Sequence, residues 1–219
     1  ILDVAKEKGW KVLVALAGPA PRWGTEGARD HITRPRASDY QQFAQATAKR
    51  FGAGVTYWSI WNEPNFRTFL MPQFVKGKPA SPGIYRNLYI AGQKGLIAGS
   101  PKRPRVLFGE TAPRAGADGV APLAFLREAL CLTATYSRAR SCTKITTDGY
   151  AHHPYAPPAG PFFTPPKTDD VTIGALSRLT GALDKAARAG AITGKLKVYL
   201  TEFGVQSYPD RSAGVPLAT

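Results

Sequence analysis

The chain has 219 residues, of which 43% are hydrophobic and 20% charged, a composition that excludes a disordered or fibrous protein and fits a soluble globular one. That length supplies one sizeable core, so a single domain over residues 1–219 is expected. Lys and Arg outnumber Asp and Glu by 29 to 15, giving a formal net charge of +14 that could attract nucleic acid, anionic membranes or acidic polysaccharides.

The predicted elements alternate between helix and strand. Residues 1–9 read as the end of a helix stopped by Gly9, and Lys11 to Ala17 as a continuously apolar strand followed by the turn-rich segment around Pro19, Pro21 and Trp23. Ser38 and Asp39 are expected to cap a helix running to Arg50, and Val55 to Trp61 is the next strand. Ser81 opens a helix to about Gly99, Arg105 to Phe108 is a strand ending at Gly109 and Glu110, and Pro122 to Leu132 is a helix. Thr147 to Ala151 forms a short strand, Thr172 to Arg188 an amphipathic helix stopped by Gly190, and Lys197 to Leu200 the last strand, before a loop-like tail from Val205 to Thr219.

Continuously apolar strands separated by helices imply parallel βαβ units buried on both faces. The polar, Pro-rich and aromatic residues follow the strands, as in α/β barrels, whose reactive groups lie on post-strand loops. A doubly wound sheet is the competing architecture, but its Gly-rich phosphate fingerprint is missing after the first strand. A (β/α)8 TIM barrel is therefore the expected fold, with only five strands visible.

The basic residues are scattered. Arg103 and Arg105 share a turn, Arg138, Arg140 and Lys144 share a loop, and no Lys/Arg-rich block marks a nucleic-acid binder. No apolar stretch has the length needed to span a bilayer. Cys131 and Cys142 would stabilise their loop by roughly 3 kcal/mol if bonded, which would indicate an oxidising compartment; two unrelated thiols are the alternative. Two Cys without a nearby His do not complete a zinc set, and nothing in the pattern requires a cofactor.

Two segments carry chemistry. Trp58–Ser59–Ile60–Trp61–Asn62–Glu63–Pro64 and Tyr199–Leu200–Thr201–Glu202–Phe203–Gly204 each run from β-formers into a Glu and then a strand breaker, placing a carboxylate at the mouth of a strand. Trp58 and Trp61 are expected to wall Glu63, and Asn62 to offer a donor and an acceptor to a sugar hydroxyl. Two carboxylates about 5 Å apart repel by roughly 3 kcal/mol at an effective dielectric of about 20, on the order of 2 pKa units, so one holds a proton while the other stays charged. At the intervening strand His153 and Tyr155 are expected to contact a carboxylate or sugar; strand alternation admits one of His152 and His153 to the interior, and which one stays open. Two adjacent His without a third ligand do not make a metal site. Trp23 and the pair Phe162–Phe163 are candidate stacking platforms for sugar, and Glu110 is a third carboxylate expected to bind substrate or support the site.

At these residues the chain resembles the clan A glycoside hydrolases, closest to families 39 and 5. Asn62–Glu63–Pro64 is similar to their acid/base motif at the fourth strand, Thr201–Glu202–Phe203–Gly204 to their nucleophile motif at the seventh, and Gly149–Tyr150–Ala151–His152–His153–Pro154–Tyr155 to their sixth-strand segment. The resemblance implies that the visible strands are the third to the seventh, with the first, second and eighth missing. It implies a retaining β-glycosidase, with Glu202 as nucleophile and Glu63 as acid/base, acting on oligo- or polysaccharide and needing no cofactor. A catalytically idle carbohydrate-binding or cell-wall barrel is the alternative. A secreted monomer that binds no nucleic acid and has no membrane span is expected, either processed or cut from something longer because it starts at Ile1.

Overall fold

The computed structural model describes residues 1–139 and 141–204; Arg140 of the basic loop and the expected tail from 205 to 219 lie outside the described residues. Short helix α1 (Leu2–Glu7) leads into β1 (Leu13–Leu16), α2 (Ala37–Phe51) and β2 (Tyr57–Ile60). A small antiparallel hairpin, β3 (Phe74–Val75) and β4 (Lys78–Pro79), precedes α3 (Ser81–Gly99). Then follow β5 (Val106–Thr111), α4 (Pro122–Ala129), β6 (Gly149–His152), α5 (Leu176–Arg188) and β7 (Val198–Leu200). The class is mixed α/β.

The main sheet has five parallel strands in the order β1-β2-β5-β6-β7, so it grows in one direction along the chain. A doubly wound sheet would reverse direction at a switch point, and this one does not. The sheet is also curled. Three inter-strand steps of about 4.8 Å would separate β2 from β7 by roughly 14 Å in a flat sheet. Instead the rings of Tyr57 on β2 and Tyr199 on β7 lie 5.2 Å apart across the concave face, with their hydroxyls 3.4 Å apart. Among the described residues β1 pairs only with β2 and β7 only with β6, so the curl is not closed into a barrel, and Leu13 and Leu200 on these edge strands are exposed.

Helices cover the convex face. Helices α2 and α3 meet along a glycine stripe: a Cβ on Gly95 would lie 2.2 Å from the Gln41 carbonyl oxygen, and one on Gly99 2.2 Å from that of Gln45. Both contacts are with backbone, which cannot swing aside. Gly95→Ala is therefore expected to force the helices apart and destabilise the fold by about 1–3 kcal/mol, read as a lowered urea midpoint; an unchanged midpoint would contradict this packing.

Several boundaries differ from expectation. Arg36 rather than Ser38 or Asp39 occupies the cap of α2; Asp39 lies in the first turn, ion-paired to Arg36 at 3.2 Å, where it still complements the helix dipole. Helix α4 stops at Ala129 because Cys131 turns left-handed at φ +58°, and the predicted helix from Thr172 begins as a single tight turn at Ile173–Ala175. Strand β5 runs beyond Phe108 through Glu110 to Thr111. Cys131 and Cys142 form a disulfide with their Cα atoms 6.3 Å apart.

Candidate active site

Glu63 stands on a backbone turn that must be held in place. Trp61 and Glu63 both adopt left-handed conformations, φ +66° and +36°, which cost a non-glycine residue roughly 1–2 kcal/mol each. Packing and hydrogen bonds supply the restraint. Trp61 is 1% exposed, set edge-on to Tyr40 with ring centroids 5.8 Å apart and against Gly18, while its indole N–H donates to the Phe69 carbonyl at 3.0 Å. On the other side Asn65 is buried, donating to the Ala112 and Val120 carbonyls and accepting from the Ala112 amide at 2.8 Å. Gln73 donates to the carbonyls of Pro64 and Leu70 and accepts from the Ser81 hydroxyl.

Glu110 reaches the concave face through a β-bulge. The register of β5 against β6 shifts between Gly109 and Thr111, and Gly109 (φ +122°) sits where a Cβ would meet the Ala151 carbonyl oxygen at 2.4 Å. Only glycine fits there. The bulge re-aims Glu110, which would otherwise follow Phe108 toward the helices. Its Oε2 accepts from the Thr201 hydroxyl at 2.6 Å and from His153 Nε2 at 2.5 Å.

Of the two neighbouring histidines, His153 faces the carboxylates. Its backbone N–H donates to the Thr111 carbonyl at 3.0 Å, its Nδ1 lies 3.1 Å from Glu63 Oε1 and 3.5 Å from Glu202 Oε2, and the ring is fully buried. Burial alone would pull its pKa down, but the hydrogen bonds to Glu110 and Glu63 and the charge of Glu202 outweigh it and hold the imidazole up at about 9. Both nitrogens therefore carry protons at neutral pH and both donate. His152 points the other way: burial lowers it to about 4, so it is neutral, donating through Nε2 to the Val171 carbonyl and accepting at Nδ1 from the Thr111 hydroxyl.

The raised His153 pKa has a definite sign for stability. A histidine lifted from 6.5 to about 9 on folding contributes fully below pH 6.5, and its contribution is lost as pH rises through about 9. The urea midpoint is expected to fall over that window, and a flat profile would contradict the bridging imidazolium.

Glu202 follows β7. The Thr201 N–H donates to the His152 carbonyl and the Gly204 carbonyl accepts from the Ala156 N–H, tying the exits of β6 and β7 together. Tyr155 donates to Glu202 Oε2 at 3.1 Å; burial and this hydrogen bond raise the phenol pKa, keeping it a donor. One oxygen from Glu63, one from Glu202 and a ring nitrogen of His153 lie within 4.8 Å of one another, with the Glu63 side chain 16% and that of Glu202 43% exposed. This trio has the spacing of a metal-ligand set; with His153 protonated, its ring donates to both carboxylates instead. The arrangement joins two carboxylates of unequal exposure through a fixed cation, which suits them to different tasks.

Glu63 also lines a cavity of about 730 Å³ together with Phe66, Arg114, Phe163, Lys167 and Asp170. Asn62 is half-buried beside it in the chain. The structure does not bring every candidate together. Trp58 and Trp61, expected beside Glu63, are each 1% exposed and neither lines the cavity that Glu63 lines; Trp61 lines a second one. Trp23, 65% exposed, lines that second cavity of about 340 Å³ together with Trp61, Tyr40 and Phe43. Phe162 is exposed away from the cavity that Phe163 lines. Sequence reasoning missed Thr201 as a partner of Glu110, although a hydroxyl one residue before a strand-mouth Glu was a signal. It also missed Asn65 and Gln73, whose clamping role depends on contacts distant in sequence.

No protein-family model matches the chain, and no curated protein matches it in sequence. In structure it resembles clan A glycoside hydrolases. One is a family 39 β-xylosidase from Caulobacter crescentus, 19% identical, with 95% of this chain and 40% of that chain covered and a TM-score of 0.54. Another is a family 39 glycoside hydrolase from the gut symbiont Bacteroides cellulosilyticus WH2, 21% identical, with 93% and 38% covered and a TM-score of 0.57. A conserved exported protein from Bacteroides fragilis is 16% identical, with 95% and 43% covered and a TM-score of 0.52. At such identities the likeness is one of fold, and the chain spans about two fifths of the length of these structures. No helix among the described residues is long and apolar enough to cross a membrane.

Proposed function

We propose that the chain is the catalytic region of a retaining β-glycosidase built on a (β/α)8 barrel, in which β1, β2, β5, β6 and β7 are the third to seventh staves. The observation that carries this reading is the pair of carboxylates at the mouths of β2 and β7, with oxygens within 4.8 Å of one another. Retaining enzymes hold their carboxyl groups at about 5–5.5 Å, whereas inverting ones leave about 6.5–9.5 Å for a water.

In the proposed double displacement Glu202, the more exposed carboxylate, attacks the anomeric carbon, and Tyr155 orients it through the 3.1 Å hydrogen bond. Glu63 protonates the departing glycosidic oxygen. It then takes a proton from water, which cleaves the glycosyl-enzyme from the same face. His153 fixes the Glu63 carboxyl and places a positive charge between the two acids, with Glu110 and Thr201 holding the far side of its ring. Asn62 grips the hydroxyl next to the anomeric carbon. The partner is an oligo- or polysaccharide, and the protein works as a secreted monomer with one domain.

The test is a panel of aryl β-glycosides and polysaccharides, with NMR following the anomer formed first. The β-anomer is expected before mutarotation. An α-anomer as first product would contradict the pairing of Glu63 with Glu202.

A further inference from the structure

The cavity beside Glu63 has an unusual lining. Its polar side chains are all ionisable, Glu63, Arg114, Lys167 and Asp170, and among the described residues no neutral polar side chain lines it. Phe66 and Phe163 supply aromatic surface, and the rest is Ala, Gly and Pro. Neither Arg114 nor Lys167 forms an ion pair among the described residues, whereas Arg67, Arg103 and Arg127 each have an Asp partner. The two cations thus face the cavity with no carboxylate in contact, acting on Asp170 only at longer range.

The loop that carries Lys167 is built rather than slack. Arg178 of α5 donates to the carbonyls of Pro165, Lys167 and Asp170, and Arg127 of α4 makes a double hydrogen bond to Asp169 at 2.6 and 2.8 Å. Thr172 donates to the Phe163 carbonyl, fixing the ring-bearing segment. Asp170 is 6% exposed and its Oδ1 has no hydrogen-bond partner. Burial pushes this carboxyl up, against the Ala115 amide hydrogen bond and the charges of Lys167 and Arg114, which pull it down. A buried acceptor of this kind is costly unless a ligand hydroxyl meets it.

Glu63 lines this cavity and Glu202 does not, which sets its side of the scissile bond. We propose that the cavity is the leaving-group subsite and takes an acidic sugar, its carboxylate held by Arg114 and Lys167, its ring against Phe66 and Phe163, and one hydroxyl donated to Asp170. The assignment to the leaving-group side rests on Glu63 being the proton donor; the acidity of the ligand rests on the lining alone. Paired cations recognise a carboxylate through charge-assisted hydrogen bonds, Arg in a fork geometry and Lys as a point charge.

Calorimetric titration of the protein with a glucuronate-containing disaccharide and with the matched glucose disaccharide tests this. The acidic sugar is expected to bind about tenfold tighter, and the double variant Arg114→Ala/Lys167→Ala to erase the difference. Equal affinities in the unaltered protein, or a preference that survives the double variant, would overturn the proposal. Turnover of an aryl β-glycoside, which places no carboxylate beside Glu63, is read separately. Preference for the acidic sugar without such turnover would sink the glycosidase reading and leave the acid-binding cavity standing; turnover without the preference would do the reverse.

Discussion

Replacing Glu202 by Gly is expected to lower kcat on an activated aryl β-glycoside by roughly 10⁴-fold or more, because the proposed mechanism makes it the group that forms the glycosyl-enzyme. The side chain is 43% exposed and its visible partners are Tyr155 and His153, so the substitution removes the proposed nucleophile without opening the core. In the proposed mechanism the space left by the carboxylate lies on the face from which the anomeric carbon is attacked. Added azide should enter it and restore turnover, giving a glycosyl azide of inverted configuration, since only one displacement then occurs. Undiminished activity in Glu202→Gly would remove Glu202 from the mechanism.

Glu63→Ala should behave differently. General acid–base assistance is worth roughly 10²–10⁴-fold, and the loss should depend on the leaving group. An aryl group that departs without protonation needs no acid, so the first step on such a substrate should survive while a sugar leaving group becomes slow. The intermediate then waits for a water that nothing activates. Azide needs no base and should intercept it from the same face, giving a glycosyl azide of retained configuration. Opposite anomers from the two variants would assign the two roles independently of rate. A loss that is the same for good and poor leaving groups would contradict the acid role.

The strands that position these residues were legible because each apolar run ends where Pro or Gly breaks it: Pro64 after Glu63, Pro154 after His153 and Gly204 after Glu202. Sequence reasoning weakens at the points where the chain leaves regular geometry. Period-two alternation assigns Trp58 to one face of β2, but it does not extend through the left-handed turn at Trp61, and so the fate of that indole was not readable. The bulge at Gly109 was equally hidden. Gly–Glu after an apolar strand reads as an ending, and the pairing that carries β5 on to Thr111 comes from β6, about forty residues later. His153 and His152 were inseparable for a related reason: what divides them is the carboxylates on one face and the Val171 carbonyl on the other. The position of Trp23 depends on the path of residues 18–36, where no periodicity constrains the chain.

Tyr57 opens β2 and Tyr199 is the middle residue of β7, so both lie on the concave face before the strand mouths that carry Glu63 and Glu202, and Arg105 adds a hydrogen bond to the Tyr57 hydroxyl. The two phenols thereby bridge β2 and β7 on the side of the sheet from which the chain enters β2. On the proposed mechanism the sugar that leaves first has to clear the cavity beside Glu63 before water can take its place, so release from that cavity and hydrolysis of the intermediate are coupled.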